Sequence, residues 1–359
     1  MKIDERALLS FDWLWFLALV LLMTSGVLCI WSSTPGTGVN SYFGRQLLYV
    51  GIGLLLFFVG LYFDYHLVTD YVVPLYIGGV LGLALVLVAG HSVHANKSWL
   101  YGVQPSELAK VMTIAALAKY YSQIGRDYLE LPELFKGGMI VALPMSLVML
   151  QGDLGTAITF VPIFLALSFI AGLKRKYVLV SAVAVLLAAP VGWYRLKDYQ
   201  KGRIQTIFNP ANDPHHLGYQ TIQSKIAIGS GRFVGKGFKQ GSQSQLGFLP
   251  ARHTDFVFAV LGEEKGFAGT ITVLGLFLFV SLRLIRTARE AKDTVGAMLV
   301  LGVLALLLFH LMINIGMVLG LVPIAGIPLP FVSAGGSSLI SFLIGMSLCM
   351  NVRVRRYVN

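Results

Sequence analysis

Glu107 and Lys110 are the first residues in this chain whose types and spacing can do chemistry. Three apart, they share one face of a helix that opens after the turn signal Gln104-Pro105-Ser106. They lie in an apolar stretch, where an ionisable group is costly unless it faces a partner or a wet cavity. The pair can neutralise itself and pin helices together, or Lys110 can position or neutralise a buried carboxylate elsewhere. Asp153 lies in Gln151-Gly152-Asp153-Leu154-Gly155, which interrupts an apolar stretch over residues 138–172. Glycine breaks the helix there, and Asp153 can cap the amides that start the next one. A broken helix is tolerated in a membrane only where protein or water covers it, so the motif predicts a cavity nearby.

A second group of polar residues comes later. His253-Thr254-Asp255-Phe256 ends a long polar stretch. Desolvated by Phe256 and Phe258, Asp255 can serve as a general base, or it can cap the helix that follows. His253 is the rival base. Residues 323–338 contain three prolines, which bar a regular helix, and glycines that allow close backbone approach. They read as a re-entrant loop lining the same cavity, or more plainly as a tight connector. His91, His94, His215 and His216 lack cysteine or carboxylate ligands at zinc spacing, so no metal is assigned to them. Cys29 and Cys349 are the only cysteines, too few for a disulfide framework or a thiolate cluster.

Positioning these residues falls to a chain that is 56% hydrophobic and 13% charged. A soluble domain of 359 residues does not hide that much apolar surface, so the solvent for most of it is lipid. Hydropathy predicts spans near 12–32, 43–63, 71–90, 104–121, 138–151, 154–172, 177–195, 267–285, 294–322 and 338–351. The expected fold is an all-α polytopic membrane protein of about ten helices, a single integral membrane domain over residues 1–359. The first apolar run is longer than a signal-peptide core and reads as an uncleaved span. Ten spans put both termini on one side. Lys2, Arg6, Lys119, Arg126, Lys136, Lys174, Arg175, Lys176, Arg283, Arg286, Arg289, Lys292, Arg353, Arg355 and Arg356 make that side cytoplasmic. The net charge of +11 is then a matter of cytoplasmic loops and anionic lipid, not of nucleic acid. Residues 196–266, between spans seven and eight, form a large extracytoplasmic loop. Within it Ile204, Ile207 and Phe208, then Ile222, Ile226 and Ile228, recur at roughly helical spacing and predict short amphipathic helices on the membrane surface. No strand pattern is seen.

The motifs, taken in order, resemble those of the SEDS membrane proteins (shape, elongation, division and sporulation), most closely the rod-shape RodA branch. They are Gln104-Pro-Ser-Glu-Leu-Ala-Lys110, Gln151-Gly-Asp-Leu-Gly155, Gln223-Ser-Lys-Ile-Ala-Ile-Gly-Ser-Gly231, Gly235-Lys-Gly237, Gln243-Ser-Gln-Leu246, His253-Thr-Asp-Phe256, Asn314-Ile-Gly-Met317 and Leu329-Pro-Phe-Val-Ser-Ala-Gly-Gly-Ser-Ser338. The resemblance implies a peptidoglycan glycosyltransferase that polymerises lipid II on the outer face of the bacterial cytoplasmic membrane. It also implies a class B penicillin-binding protein as partner, alongside other proteins of the elongation machinery. By the family's pattern Asp255 is the catalytic residue and Asp153, Glu107 and Lys110 hold the site; Lys97, His253 and Ser337 are counted as supporting it. The chain departs from the pattern at Ala251, where the family usually has Glu, and at Ser98, where Arg often precedes the Trp.

The chemistry suits that implication. Lipid II carries its own leaving group, a polyprenyl pyrophosphate, so no nucleotide-sugar fold is needed. An inverting transfer needs a base for the acceptor hydroxyl and cations for the departing pyrophosphate. Asp255 fits the first role, and Lys110 with the basic loop residues fits the second. A divalent cation, Mg or Mn, on the pyrophosphate is the one cofactor to be considered. The rival from another class is a flippase that moves lipid II across the bilayer, since broken helices are also a transporter feature.

Overall fold

The computed structural model describes residues 11–34, 36, 38, 41–93, 96–100, 102–180, 194, 201–202, 205 and 217–356. In chain order they form α1 (Trp13–Ser33), α2 (Tyr42–Tyr62), the short α3 (Tyr65–Asp70) and α4 (Val72–Ala89). A hairpin of β1 (His91–Val93) and β2 (Asn96–Trp99) leads to α5 (Pro105–Ser122), α6 (Leu131–Leu150), α7 (Leu154–Ile158) and α8 (Phe160–Ile170). Then come α9 (Leu217–Ser230), α10 (Ser242–Gln245), α11 (Val257–Arg289), α12 (Thr294–Val318) and α13 (Gly336–Arg355). Seven of these helices are long and apolar enough to cross a membrane: α1, α2, α4, α6, α11, α12 and α13. The expected fourth span is α5, which is excluded from the seven by its charges rather than its length. The expected sixth is α7 and α8 in succession, and the expected seventh lies mostly outside the described residues.

Polar residues at chain turns set the helix boundaries. Asp12, Ser41 and Asp64 accept from the amides of Trp15, Gly44 and His66 to start α1, α2 and α3. Glu130 and Glu133 cap α6 reciprocally, so that helix begins seven residues before its expected boundary at 138. Inside the bundle α13 lies against α2. An added Cβ at Gly53 would come within 2.4 Å of Leu343, and one at Gly60 within 2.4 Å of Ser347. Ser347 Oγ donates to the Phe57 carbonyl at 2.6 Å, a bond that has no competing water in lipid.

One expectation is corrected. A two-stranded antiparallel ladder exists, with Ser92 opposite Lys97 and Val93 opposite Asn96; strands of three and four residues are too short to show alternation. α11 starts at Val257 and breaks at a non-helical Gly266 (φ 64°, ψ −161°), the expected end of the polar loop, before running on to Arg289. The short helix expected around Ile222, Ile226 and Ile228 is α9, which buries Gly218, Thr221, Ser224 and Ala227 and leaves Ile226 46% exposed. Small side chains there let the helix lie close to α11: a Cβ on Gly231 would meet the Gly262 carbonyl at 1.9 Å. Residues Ile204, Ile207 and Phe208, the other half of that amphipathic expectation, lie outside the described residues.

Candidate active site

Asp255 stands on a turn wound by Ala251, whose φ of 47° is left-handed. The Ala251 carbonyl accepts from the amides of Thr254 at 3.1 Å and Phe256 at 3.2 Å. Phe256, fully buried, anchors the turn from below and is the N-cap residue of α11, so the cap position does not fall on Asp255. Each carbonyl of the turn is then held by a different donor. His253 O accepts from Ala334 N at 2.8 Å, Thr254 O from Ser333 Oγ at 2.6 Å, and Asp255 O from Asn314 Nδ2 at 3.1 Å. The backbone around Asp255 is thereby fixed, and its half-buried carboxylate lies beside Gly326, where an added Cβ would sit 3.9 Å from Oδ2. Gly326 has φ +67°, so the loop bends there without a side chain to crowd the carboxylate.

The donors Ala334 and Ser333 belong to the proline-rich segment between α12 and α13. Ile327, Leu329, Phe331 and Val332 of this segment are buried, so it threads into the bundle and is not an external connector. Gln46 of α2 holds it twice, donating to Ser333 O at 3.4 Å and accepting from Gly335 N at 3.3 Å. Asn314 of α12 holds it once more, through Ile327 O at 2.8 Å. Gly26 and Gly155 let it approach: a Cβ at either would lie 2.4 Å from Val332 O or 2.0 Å from Ala325 O.

Glu107 and Lys110 form an ion pair of 2.8 Å on α5, with side chains 4% and 1% exposed, and so face the bundle and not lipid. Lys110 Nζ also lies 3.3 Å from Nε2 of His310 on α12, whose Nδ1 lies 3.2 Å from the Pro328 carbonyl. Glu107 Oε2 is buried without a hydrogen-bond partner among the described residues. His310 was not singled out by the sequence motifs; the available signal was one histidine, a turn before Asn314, in the largely apolar α12. Gln46, a lone amide in the apolar α2, carried the same kind of signal.

Asp153 caps α7, accepting from Thr156 N at 3.0 Å and Thr156 Oγ1 at 2.8 Å. It also accepts from Gln104 Nε2 at 3.1 Å, while Gln104 N donates to Ser337 Oγ at 2.9 Å. Asp153 and Ser337 therefore meet through Gln104, at the start of the helix that carries Glu107 and Lys110. His253 packs its ring 4.1 Å from that of Tyr42. Burial, and then the charge of Arg252, lower its pKa below the usual 6.5, which leaves it a neutral imidazole at pH 7. Lys97 pairs with Ser92 in the hairpin, but its side chain lies outside the described residues. The structure thus brings Asp255, His253, Ser337 and, through His310, the Glu107–Lys110 pair onto one loop, residues 323–338.

That arrangement can be compared with known proteins. A family model described as "Cell cycle protein", covering FtsW, RodA and SpoVE, matches residues 6–358. The chain belongs to this family. Peptidoglycan glycosyltransferase RodA of Treponema pallidum (strain Nichols) is 32% identical, over 98% of this chain and 99% of its own. Peptidoglycan glycosyltransferase MrdB of Escherichia coli (strain K12) is 36% identical, over 95% of this chain and 92% of its own. Among solved structures, a chain of a peptidoglycan synthase complex that coordinates polymerization and crosslinking superposes with a TM-score of 0.84 at 30% identity, covering 97% of this chain and 99% of that one. The family membership and the seven apolar helices make this a multi-pass membrane protein.

In this FtsW/RodA/SpoVE family member a second carboxylate cluster lies beside the site without entering it. Glu263 of α11 pairs with Lys236 at 2.8 Å and accepts from Gln243 N and Ser244 N. Its neighbour Glu264 accepts from Ser32 Oγ of α1. Together they moor the Gly-rich segment before Asp255 to α11 and α1. Among the described residues no three His, Cys, Asp or Glu side chains gather as a metal site.

Proposed function

We infer that the chain is a peptidoglycan glycosyltransferase that joins lipid II units into glycan strands for cell elongation. The observation that carries this reading is the turn at Asp255, fixed at three consecutive carbonyls while its carboxylate lies beside a side-chain-free bend of the loop. A base held in this way costs no reorganisation when the acceptor hydroxyl arrives. In the transfer, Asp255 takes the proton of the acceptor sugar hydroxyl as its oxygen attacks the donor anomeric carbon from the face opposite the pyrophosphate. The bond from that carbon to the pyrophosphate oxygen breaks, and the electron pair leaves with the polyprenyl pyrophosphate. A divalent cation on the pyrophosphate would belong to the substrate. Lys110, 1% exposed, supports the site from within.

The working end is the extracytoplasmic one and both termini are cytoplasmic, on the support of the lysines and arginines in the loops at the termini's side. The partner is a class B penicillin-binding protein, a reading supported by the similarity to a chain of a complex that couples polymerization to crosslinking. The decisive test is purified protein with its partner, given lipid II in detergent. Glycan polymer should form with no bilayer present. Absence of polymer, with lipid II crossing proteoliposome membranes instead, would favour the flippase and end the transferase reading.

A further inference from the structure

We propose that His310 is a positioning residue, a neutral imidazole that couples the buried Glu107–Lys110 pair to the loop cradling Asp255. The tautomer follows from its neighbours. The Pro328 carbonyl can only accept, so Nδ1, 3.2 Å away, carries the ring proton. An ammonium can only donate, so Nε2, 3.3 Å from Lys110 Nζ, presents its lone pair. A doubly protonated ring would set N–H against the ammonium in a site 1% exposed. Phe342 fixes the ring plane edge-on, with centroids 5.0 Å apart. Polarised by the ammonium on one side, the imidazole donates more strongly to the carbonyl on the other. One turn along α12, Asn314 binds the next carbonyl, Ile327 O, and Asp255 O with the same amide. His310 and Asn314 therefore hold consecutive carbonyls of the loop, and Asn314 carries the link on to Asp255. An ion pair buried in the bundle is joined in this way to a base it does not touch.

The proposal rests on the transferase reading, and the test separates the two. His310→Gln places an oxygen where Nε2 was and keeps the Lys110 contact but loses the loop bond; His310→Asn keeps a donor for Pro328 O and loses the Lys110 contact. In the complex with the partner, each variant should lower kcat about tenfold or more with KM for lipid II unchanged, since loosening of the site by a fraction of an ångström is felt as rate. Unfolding temperature should fall by only a few degrees, as the loss of one buried hydrogen bond requires, and partner binding should stay at the wild-type value. Wild-type kcat in either variant overturns the proposal, as does a rise in KM, or a loss of rate no larger than the loss of folded protein. Without polymer from the wild-type complex it is the transferase reading that fails. A second measurement needs neither turnover nor a substituted His310: 15N-histidine NMR of the wild-type complex at pH 7.5. One ring should show the neutral Nδ1–H form, and in Lys110→Met its bare Nε2 should shift while Nδ1 keeps the proton held by the Pro328 carbonyl. A spectrum without that form overturns the proposal even where both His310 variants fail to fold.

Discussion

Glu263–Lys236 and Glu107–Lys110 present the same two groups at the same 2.8 Å, and differ in everything around them. Glu263 spends both oxygens: Oε1 on Lys236, Ser242 Oγ and Gln243 N, Oε2 on Ser244 N. Its lysine is 28% exposed and, among the described residues, shared only with a serine. Glu107 has one oxygen on Lys110 and the other on nothing among the described residues, and its lysine is shared with a histidine. A buried acceptor left unmet costs about 1–3 kcal/mol, and more when charged. Fully met, the first pair staples a loop to a helix. The second retains an unmet acceptor beside the site, which a purely structural pair has no reason to keep. Counting donors, not measuring the salt bridge, separates the staple from the working group.

The sharpest way to break this contrast is Lys110→Ala, which leaves Glu107 buried without its counter-charge. Stability should fall by roughly 3–5 kcal/mol and polymerisation should be lost with it; thermal unfolding and a lipid II assay read both, and a fully active variant contradicts the assignment. Asp255→Asn comes next. Size and hydrogen-bonding oxygen are kept while the capacity to take a proton is lost, so polymerisation should drop about 100-fold or more with folding and partner binding intact. Near-normal polymer from it would move suspicion to His253 or Asp153. Glu263→Gln should do the reverse, costing about 1–3 kcal/mol of stability while the folded fraction keeps its turnover. Equal loss of specific activity in Glu263→Gln and Asp255→Asn would erase the distinction between staple and site.

The smallest effect should be seen at the opposite end of the bundle. Asp293 is raised by burial but lowered further by hydrogen bonds from Tyr65 and the Gly296 amide and by His66, so its folded pKa lies below the usual 3.8. Asp64 behaves likewise, burial being outweighed by its bonds from His66 and by the charge of Arg355. Because folding favours the ionised forms, their stabilisation is complete above about pH 4 and is lost as pH falls through the folded values. Unfolding curves of wild type and Asp293→Asn should therefore differ at pH 7 and converge below pH 4. Curves that stay parallel throughout would remove Asp293 from the account.

Much of this was legible in the residues, and the parts that were not have physical reasons. Apolar runs of span length gave the membrane helices, since lipid leaves the backbone little alternative. Gly152-Asp153 announced its break and cap, and Asp255 its place before a helix. Glu263 and Glu264 read as loop because their charge suggests water; the donors that bury them, Lys236, Gln243, Ser244 and Ser32, come from other segments. The isoleucines marked α9 as a helix, but not the face it packs, because close helix packing favours small residues over large apolar ones, as Ser224 and Ala227 show. His310 and Gln46 went unremarked because one polar residue in an apolar helix gains meaning only from its partners, and those lie on other elements.

Gly26 and Val332, whose backbones touch, also set an order of events in synthesis. At about 5–20 residues per second, the ~300 residues between them take roughly 15–60 s to make. For that interval α1 is in the membrane with its groove open, waiting for the loop that will fill it. Chains arrested before and after residue 332 should differ in protease resistance around α1, and equal resistance would contradict the order. A helix made before the loop that covers it is finished only when that loop arrives, so a nascent chain has no complete site until residue 332 has left the ribosome.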